Sequence, residues 1–243
     1  MPQHHPPKTP AETAAPTTRV DSAIRAITDY IHGEGLKVGD RLPSEAAFAE
    51  SLGVSRTVVR EAFKSLAAMR IIEMHAGRRA RVGGFDASVM ALSLTHALRT
   101  EQINAPQMWD ARRAVEMRSV ALAAMRRTDA EAAALLEQVA QMRDCVDDLA
   151  RMTELDIAFH VAIADASRNP LFSVLVGSLS SAIRETNPMV WRHRRDNETR
   201  RDVVEAHAAI AQAIADGDPD AACAALAAHF DLAARALATA GFN

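Results

Sequence analysis

The residues in this chain best equipped for chemistry are one aspartate and three histidines. Asp156 and His160 stand four apart in ELDIAFH, a spacing that puts both side chains on one face of a helix. His207, in EAHAAIAQAI, and His229, in ALAAHF, sit among small apolar residues farther along. One carboxylate and three imidazoles converging from three helices would hold a divalent transition metal, and helix bundles commonly build such sites from facing side chains. Taken singly, a histidine on an alanine-rich helix is more often packed than ligating. Cations able to hold an anion accompany them: Arg112 and Arg113 in WDARRAVEMRSVALAA, then Arg184 and the run Arg192 to Arg195. Arg112 stands four residues before Glu116, which fits either a surface pair worth a few tenths of a kcal/mol or a guanidinium presented to a ligand carboxylate. Spacing leaves both open.

A second chemistry lies in VSRTVVREAFKSLAAM, Val54 to Met69. Ser55 precedes an apolar face of Val58, Val59, Ala62, Phe63, Leu66 and Ala67, while Arg56, Arg60 and Lys64 recur every four residues on the other side. Three cations near the positive end of a helix dipole suit phosphates and guanine edges. Upstream, Pro43, Ser44 and Glu45 open a shorter helix that Gly53 ends. Downstream, IIEMHAGRRARV predicts a small hairpin around His75, Ala76 and Gly77 with a basic second strand. Helix, glycine turn, basic helix and hairpin in that order are the layout of a helix-turn-helix with a wing, whose second helix enters the major groove.

The elements that must position these groups follow from composition. With 243 residues the chain has room for a small and an ordinary domain, and abundant alanine with 4% aromatics favours a mainly α fold. Net charge is −3, yet residues 19–84 carry 11 Lys/Arg against 8 Asp/Glu, and residues 85–243 carry 16 against 22. The basic surplus therefore sits with the DNA reader. A proline-rich tail, residues 1–18, is expected to be disordered, its His4 and His5 binding nothing specific. Residues 19–84 would form the reader, its first helix running Arg19 to His32; residues 85–243 would form an antiparallel helical bundle. Within the bundle, helices are expected at 86–101, 105–126, 129–150, 152–167, 170–186, 196–216 and 218–240, with Pro106, Pro170, Pro188 and Pro219 marking stops and starts. No apolar run approaches a membrane span, so no membrane partner is expected, and Cys145 and Cys223 are expected as reduced thiols of a cytoplasmic protein.

These strings carry a resemblance. VGDRLPSEAAFAESLGVSRTVVREAFKSL with HAGRRARV is similar to the winged helix-turn-helix of the GntR family of bacterial transcription regulators. WDARRAVE, ELDIAFHVAIADASRNPLF, EAHAAIAQAI and AALAAHF resemble the all-helical FCD ligand-binding domain of its FadR subfamily, in the metal-containing branch. The resemblance implies a homodimer on palindromic double-stranded operator DNA, commonly a repressor, released by a small carboxylic acid. It assigns Arg56 and Arg60 to base and phosphate reading, Ser44 and Thr57 to the DNA backbone, and Gly77 to the wing tip. Asp156, His160, His207 and His229 match metal ligands, with zinc expected first and nickel or manganese after it. Arg112 matches the arginine that holds the effector carboxylate; Arg184 and Asn169, the latter an asparagine at a helix junction, are counted on the effector side. Two departures stand out: Ala46 replaces a DNA-contacting arginine after LPSE, and Arg70 replaces a glycine before the wing.

Together these make Arg41, Lys64 and Arg78 or Arg79 phosphate anchors, with Arg56 and Arg60 as base readers. The rival readings are a metal-dependent hydrolase, for which an additional base, nucleophile or lid is not evident, and a sensor of the metal itself.

Overall fold

The computed structural model describes residues 18–192 and 197–239, so the tail through Thr17, with His4 and His5, and Arg194 and Arg195 lie outside the described residues. The chain forms two compact units that divide between Phe85 and Asp86.

The first unit is built on three helices. In α1 (Arg19–Gly33), Thr18 and Asp21 form a reciprocal capping box, and Ala23, Ile27 and Ile31 fall on the buried face. Ser44 caps α2 (Glu45–Leu52) by accepting from Ala47 N at 3.2 Å, and Gly53 ends it with φ 64°, a left-handed geometry that glycine adopts without steric cost. Ser55 caps α3 (Arg56–Ala68), which buries Val59, Ala62, Phe63 and Leu66. Tyr30, Phe48 and Phe63 meet edge to face across the three helices. The wing follows as β1 (Ile72–Glu73) paired antiparallel with β2 (Arg81–Val82), and Arg41 adds an isolated antiparallel bridge to Arg81. Alternation along the second wing strand turns Ala80 into the core and leaves Arg79 and Arg81 on the outer side.

The second unit is a helical bundle: α4 (Ser88–Arg99), α5 (Ala105–Arg126), α6 (Asp129–Asp144), α7 (Leu149–Ala166), α8 (Pro170–Ser178), α9 (Ser180–Arg192), α10 (Asn197–Asp216) and α11 (Pro219–Thr239). Asn104 with Gln107 and Thr128 with Glu131 box the starts of α5 and α6. α11 packs on α5 and α10, and α7 packs on α5, α6, α8 and α9. By length and composition alone α11 is apolar enough to cross a bilayer; here it buries Leu226, His229, Phe230 and Ala233 in the bundle.

Three expectations about helix ends need correction. The helix expected at 129–150 stops at Asp144, because Asp148 caps a new helix by accepting from Arg151 N at 3.1 Å. The helix expected at 170–186 is two, separated at Leu179. Pro188 is no stop: α9 runs through it, with Ala182, Ile183, Thr186, Asn187 and Trp191 buried on both sides of the lost main-chain hydrogen bond.

Gly83 is fixed by close approach rather than by its place near the boundary. A Cβ there would lie 2.2 Å from the carbonyl oxygen of Arg70, itself at φ 60°, whereas a Cβ on Gly84 would meet only Val38 Cγ1 at 3.7 Å. Gly83→Ala should therefore destabilise the first unit by about 1 to 3 kcal/mol while Gly84→Ala leaves it nearly unchanged. Thermal unfolding followed by circular dichroism checks this, and equal melting curves for the two variants would refute it.

Candidate metal centre and nucleic-acid interface

In the second unit α7 contributes Asp156 and His160, α10 contributes His207 and α11 contributes His229, all buried. One ligand atom from each lies within 4.8 Å of all the others. The packing that brings them together is ordinary: Phe159 touches His160 and His207 edge to face, and the His207 and His229 ring centroids are 4.4 Å apart.

Proton placement shows what the centre fits. His207 Nδ1 lies 2.7 Å from the carbonyl oxygen of Val203, which can only accept, so the proton is on Nδ1. The lone pair of Nε2 then faces Asp156 Oδ1, another acceptor, at 3.2 Å. Two acceptors that close in a buried site require a proton or a cation between them. His160 repeats the pattern, with Nδ1 against Glu116 Oε2 and Nε2 buried, unbonded and 3.8 Å from the same Asp156 oxygen. Neither nitrogen of His229 has a hydrogen-bond partner. An aspartate with three imidazoles whose free nitrogens point inward fits a divalent transition metal.

Burial removes the surface reading of Arg112 and Glu116. The Arg112 side chain is 0% exposed and that of Glu116 is 1% exposed. Arg112 Nε donates to Glu116 Oε1 at 2.6 Å and Nη2 to Asp156 Oδ2 at 3.4 Å, while Nη1 is buried with no hydrogen-bond partner among the described residues. The guanidinium stacks 4.9 Å from the Trp109 ring. A small pocket lined by Trp109, Met152, Asp156, Asn187, Trp191 and His229, two of them neighbours of Arg112, encloses only about 10 Å³ of free space.

Charge follows from this packing. Burial works against ionising Asp156, but the charge of Arg112, the contact with His207 and the charge of His160 together outweigh it and hold the carboxyl well below its usual range. Burial likewise opposes ionising Glu116, but Arg112 and His160 together lower it, and Arg112 is raised because the two carboxylates overcome its burial. His160 is lowered by burial and then by Arg112; His229 is lowered further, by burial and then by the neighbouring His207 and His160.

Two residues expected on the effector side are not brought to this centre. Arg184 projects outward from α9 and grips Glu154 with two hydrogen bonds of 2.5 and 2.8 Å, its side chain 47% exposed. Asn169 caps α8 through its Oδ1, which accepts from Leu171 N at 3.2 Å. Glu116, Trp109, Asn187 and Trp191 are the neighbours that sequence reasoning missed, and only Glu116 had a signal, its spacing from Arg112.

The first unit carries the other candidate surface. Arg56, Thr57, Arg60 and Lys64 are exposed along α3, and Arg60 Nε donates to Glu45 Oε2 at 3.3 Å while Lys64 pairs with Glu61 at 2.9 Å. A cleft between α3 and the wing is lined by Ser44, Arg56, Arg60, His75, Gly77 and Arg78, with Ala46 on its wall. A second concavity, of about 530 Å³, is lined by four arginines alone, Arg41, Arg78, Arg79 and Arg81. Arg41 and Arg81 are directly paired across their bridge, a like-charge juxtaposition that is unfavourable by itself. Such a surface suits a polyanion.

Comparison with known proteins agrees with both halves. A family model described as bacterial regulatory proteins, gntR family, matches residues 19–82, and one described as the FCD domain matches residues 107–232. The chain is similar to the HTH-type transcriptional regulator LutR of Bacillus subtilis (strain 168), 34% identical over 80% of this chain and 90% of that protein. It is also similar to the galactonate operon transcriptional repressor of Escherichia coli (strain K12), 30% identical over 79% of this chain and 84% of that protein. A solved structure, Streptococcus agalactiae GntR, superposes with a TM-score of 0.65 at 28% identity, covering 89% of this chain and 99% of that one.

The depressed histidines set a pH dependence for the metal-free protein. Their ordinary value is 6.5, so below about pH 6.5 the unfolded chain takes up protons that folded His160 and His229 refuse, and acid favours unfolding. Stability measured by denaturant titration should fall from pH 6.5 toward 5, and His229→Leu should flatten that slope; an unchanged slope would contradict the assigned burial penalty.

Proposed function

The chain belongs to the gntR family of bacterial regulatory proteins and carries an FCD domain, and from that premise we propose a cytoplasmic homodimeric repressor that a small carboxylate releases from palindromic operator DNA. It is a DNA-binding transcription regulator and not an enzyme. The observation that carries the sensing half is the buried, unpartnered Nη1 of Arg112 beside the Asp156, His160, His207 and His229 centre. A cation with an unused donor in a dry site favours an anion there. A divalent ion held by those four residues, zinc by preference, would supply further positive charge for the effector's oxygens. Trp109, Met152 and Trp191 would shape the rest of the effector's site, and the Asn187 amide offers it a polar contact. With only about 10 Å³ free in this pocket, entry of an acid there would move side chains or helices. That requirement links occupancy to conformation, and the effector then shifts the population between dimer states of different operator affinity.

On the DNA side, Arg56 and Arg60 would read base edges in the major groove, with Glu45 holding Arg60 in place. Thr57, Ser44 and Lys64 would contact the backbone; the Ser44 oxygen caps α2, but its hydroxyl proton remains to donate. Gly77 at the wing tip would approach the minor groove. Arg41, Arg78, Arg79 and Arg81 would hold phosphates, an anchorage on the wing that offsets Ala46.

The decisive experiment compares operator binding by metal-free protein, zinc-loaded protein and zinc-loaded protein with a panel of hydroxy acids, sugar acids and dicarboxylates. Release by at least one acid, dependent on zinc, is expected; indifference to every acid in both metal states would remove the sensing role, and release by zinc alone would make the metal the signal. Arg60→Ala should lose about 5- to 150-fold in preference for the operator over random DNA. Arg79→Ala/Arg81→Ala should instead weaken both equally and reduce the slope of log affinity against log salt by about 2. A double variant with the wild-type slope would place those arginines away from DNA.

A further inference from the structure

Glu116 stands one turn after Arg112 on α5 and its side chain is 1% exposed. Its two oxygens have different partners: Oε1 accepts from Arg112 Nε at 2.6 Å, and Oε2 meets His160 Nδ1. An ionised carboxylate can only accept, so this contact requires the imidazole proton on Nδ1. The other ring nitrogen, Nε2, is then left with its lone pair, buried and without a hydrogen-bond partner, on the Asp156 side.

We propose that Glu116 is a positioning residue of the metal centre: it fixes the Nδ1–H tautomer and the ring orientation of His160, so that Nε2 is the nitrogen offered to the ion. The inference rests on the metal reading above. Glu116 also acts on a second ligand through Arg112, whose Nη2 reaches Asp156 Oδ2 at 3.4 Å. One helix therefore orients two ligands that both belong to α7. The three imidazoles differ in how they are held. His207 is set by a carbonyl of its own helix, Val203, and His229 has no hydrogen bond to either nitrogen. Among the three, His160 has its Nδ1 held by a side chain rather than a main-chain carbonyl, so its tautomer is open to change by substitution of that group. A carboxylate behind a ligating histidine also raises the basicity of the opposite nitrogen.

The test uses the full-length protein with Glu116→Gln and Glu116→Ala. Glutamine keeps the shape but has one acceptor oxygen, so it cannot serve both His160 and Arg112. Zinc affinity, measured by competition with a chromophoric chelator, should fall about 10- to 100-fold in each folded variant. Nitrogen-15 spectra of the metal-free protein, assigned with a His160→Gln control, should place the His160 proton on Nδ1 in the wild type. The Nε2–H form should appear in Glu116→Ala. If Glu116 merely filled space, the variants would melt earlier yet bind zinc within about twofold of wild type with the tautomer unchanged, and the proposal would be overturned. Should Glu116→Ala not fold, the zinc affinity of Glu116→Gln and the wild-type tautomer decide. Failure of the wild type itself to bind zinc is a different result: it overturns the metal reading, on which this role depends.

Discussion

Lone pairs that converge in a buried site, where only a proton or a cation can separate them, are the constraint around which the second unit is organised. The Val203 carbonyl and the Glu116 carboxylate hold the ring protons of His207 and His160 on the outer nitrogens. The inner nitrogens must therefore face Asp156 and one another with electron density alone. In a core of effective dielectric far below that of water, such an arrangement is costly unless something positive sits among them. The same carbonyl and carboxylate that create the conflict also make it directional, because they fix the rings in the orientation a cation would need.

The two halves of the chain solve the problem of concentrated charge in opposite ways. In the bundle, Arg112 is fully buried and survives because Glu116 and Asp156 each take part of its charge; removing one partner would leave an uncompensated ion in the core. In the reader, Arg41, Arg78, Arg79 and Arg81 gather with no carboxylate lining their concavity, which solvent and salt make tolerable at the surface. Nearby, Glu45 and Glu61 temper Arg60 and Lys64 on α3. Buried charge is matched in place, whereas exposed charge of one sign remains available to an approaching polyanion.

Much of this was legible from sequence because it is local. Serine caps announce α2 and α3 and Gly53 ends α2, and the spacing of Asp156 and His160 puts them on one face whatever the tertiary structure. What escaped depends on distant packing. Four-residue spacing describes Arg112 and Glu116 equally well on a surface or in a core, and only α7 and α11 closing over α5 decide the matter. Arg184 has the charge expected of an effector contact, but Ala182 and Ile183 occupy the inner side of α9 and turn it toward Glu154. Pro188 reads locally as a stop, yet flanking burial carries the helix through it. Asp148 reads as helix interior until its side chain is seen capping α7.

Closure of the pocket beside Arg112 bears on how such a site can regulate. A preformed cavity would bind its acid with little rearrangement, and binding without a differential effect on two states shifts no equilibrium however tight it is. Walls formed by Trp109, Met152 and Trp191 leave about 10 Å³, so an acid entering this pocket would stabilise an arrangement with those walls displaced. Satisfying Arg112 Nη1, a donor whose desolvation has already been incurred, would contribute to the energy of that rearrangement. An unpaired buried donor is a liability in a static protein; in one that alternates between states it would favour whichever state lets a ligand satisfy it.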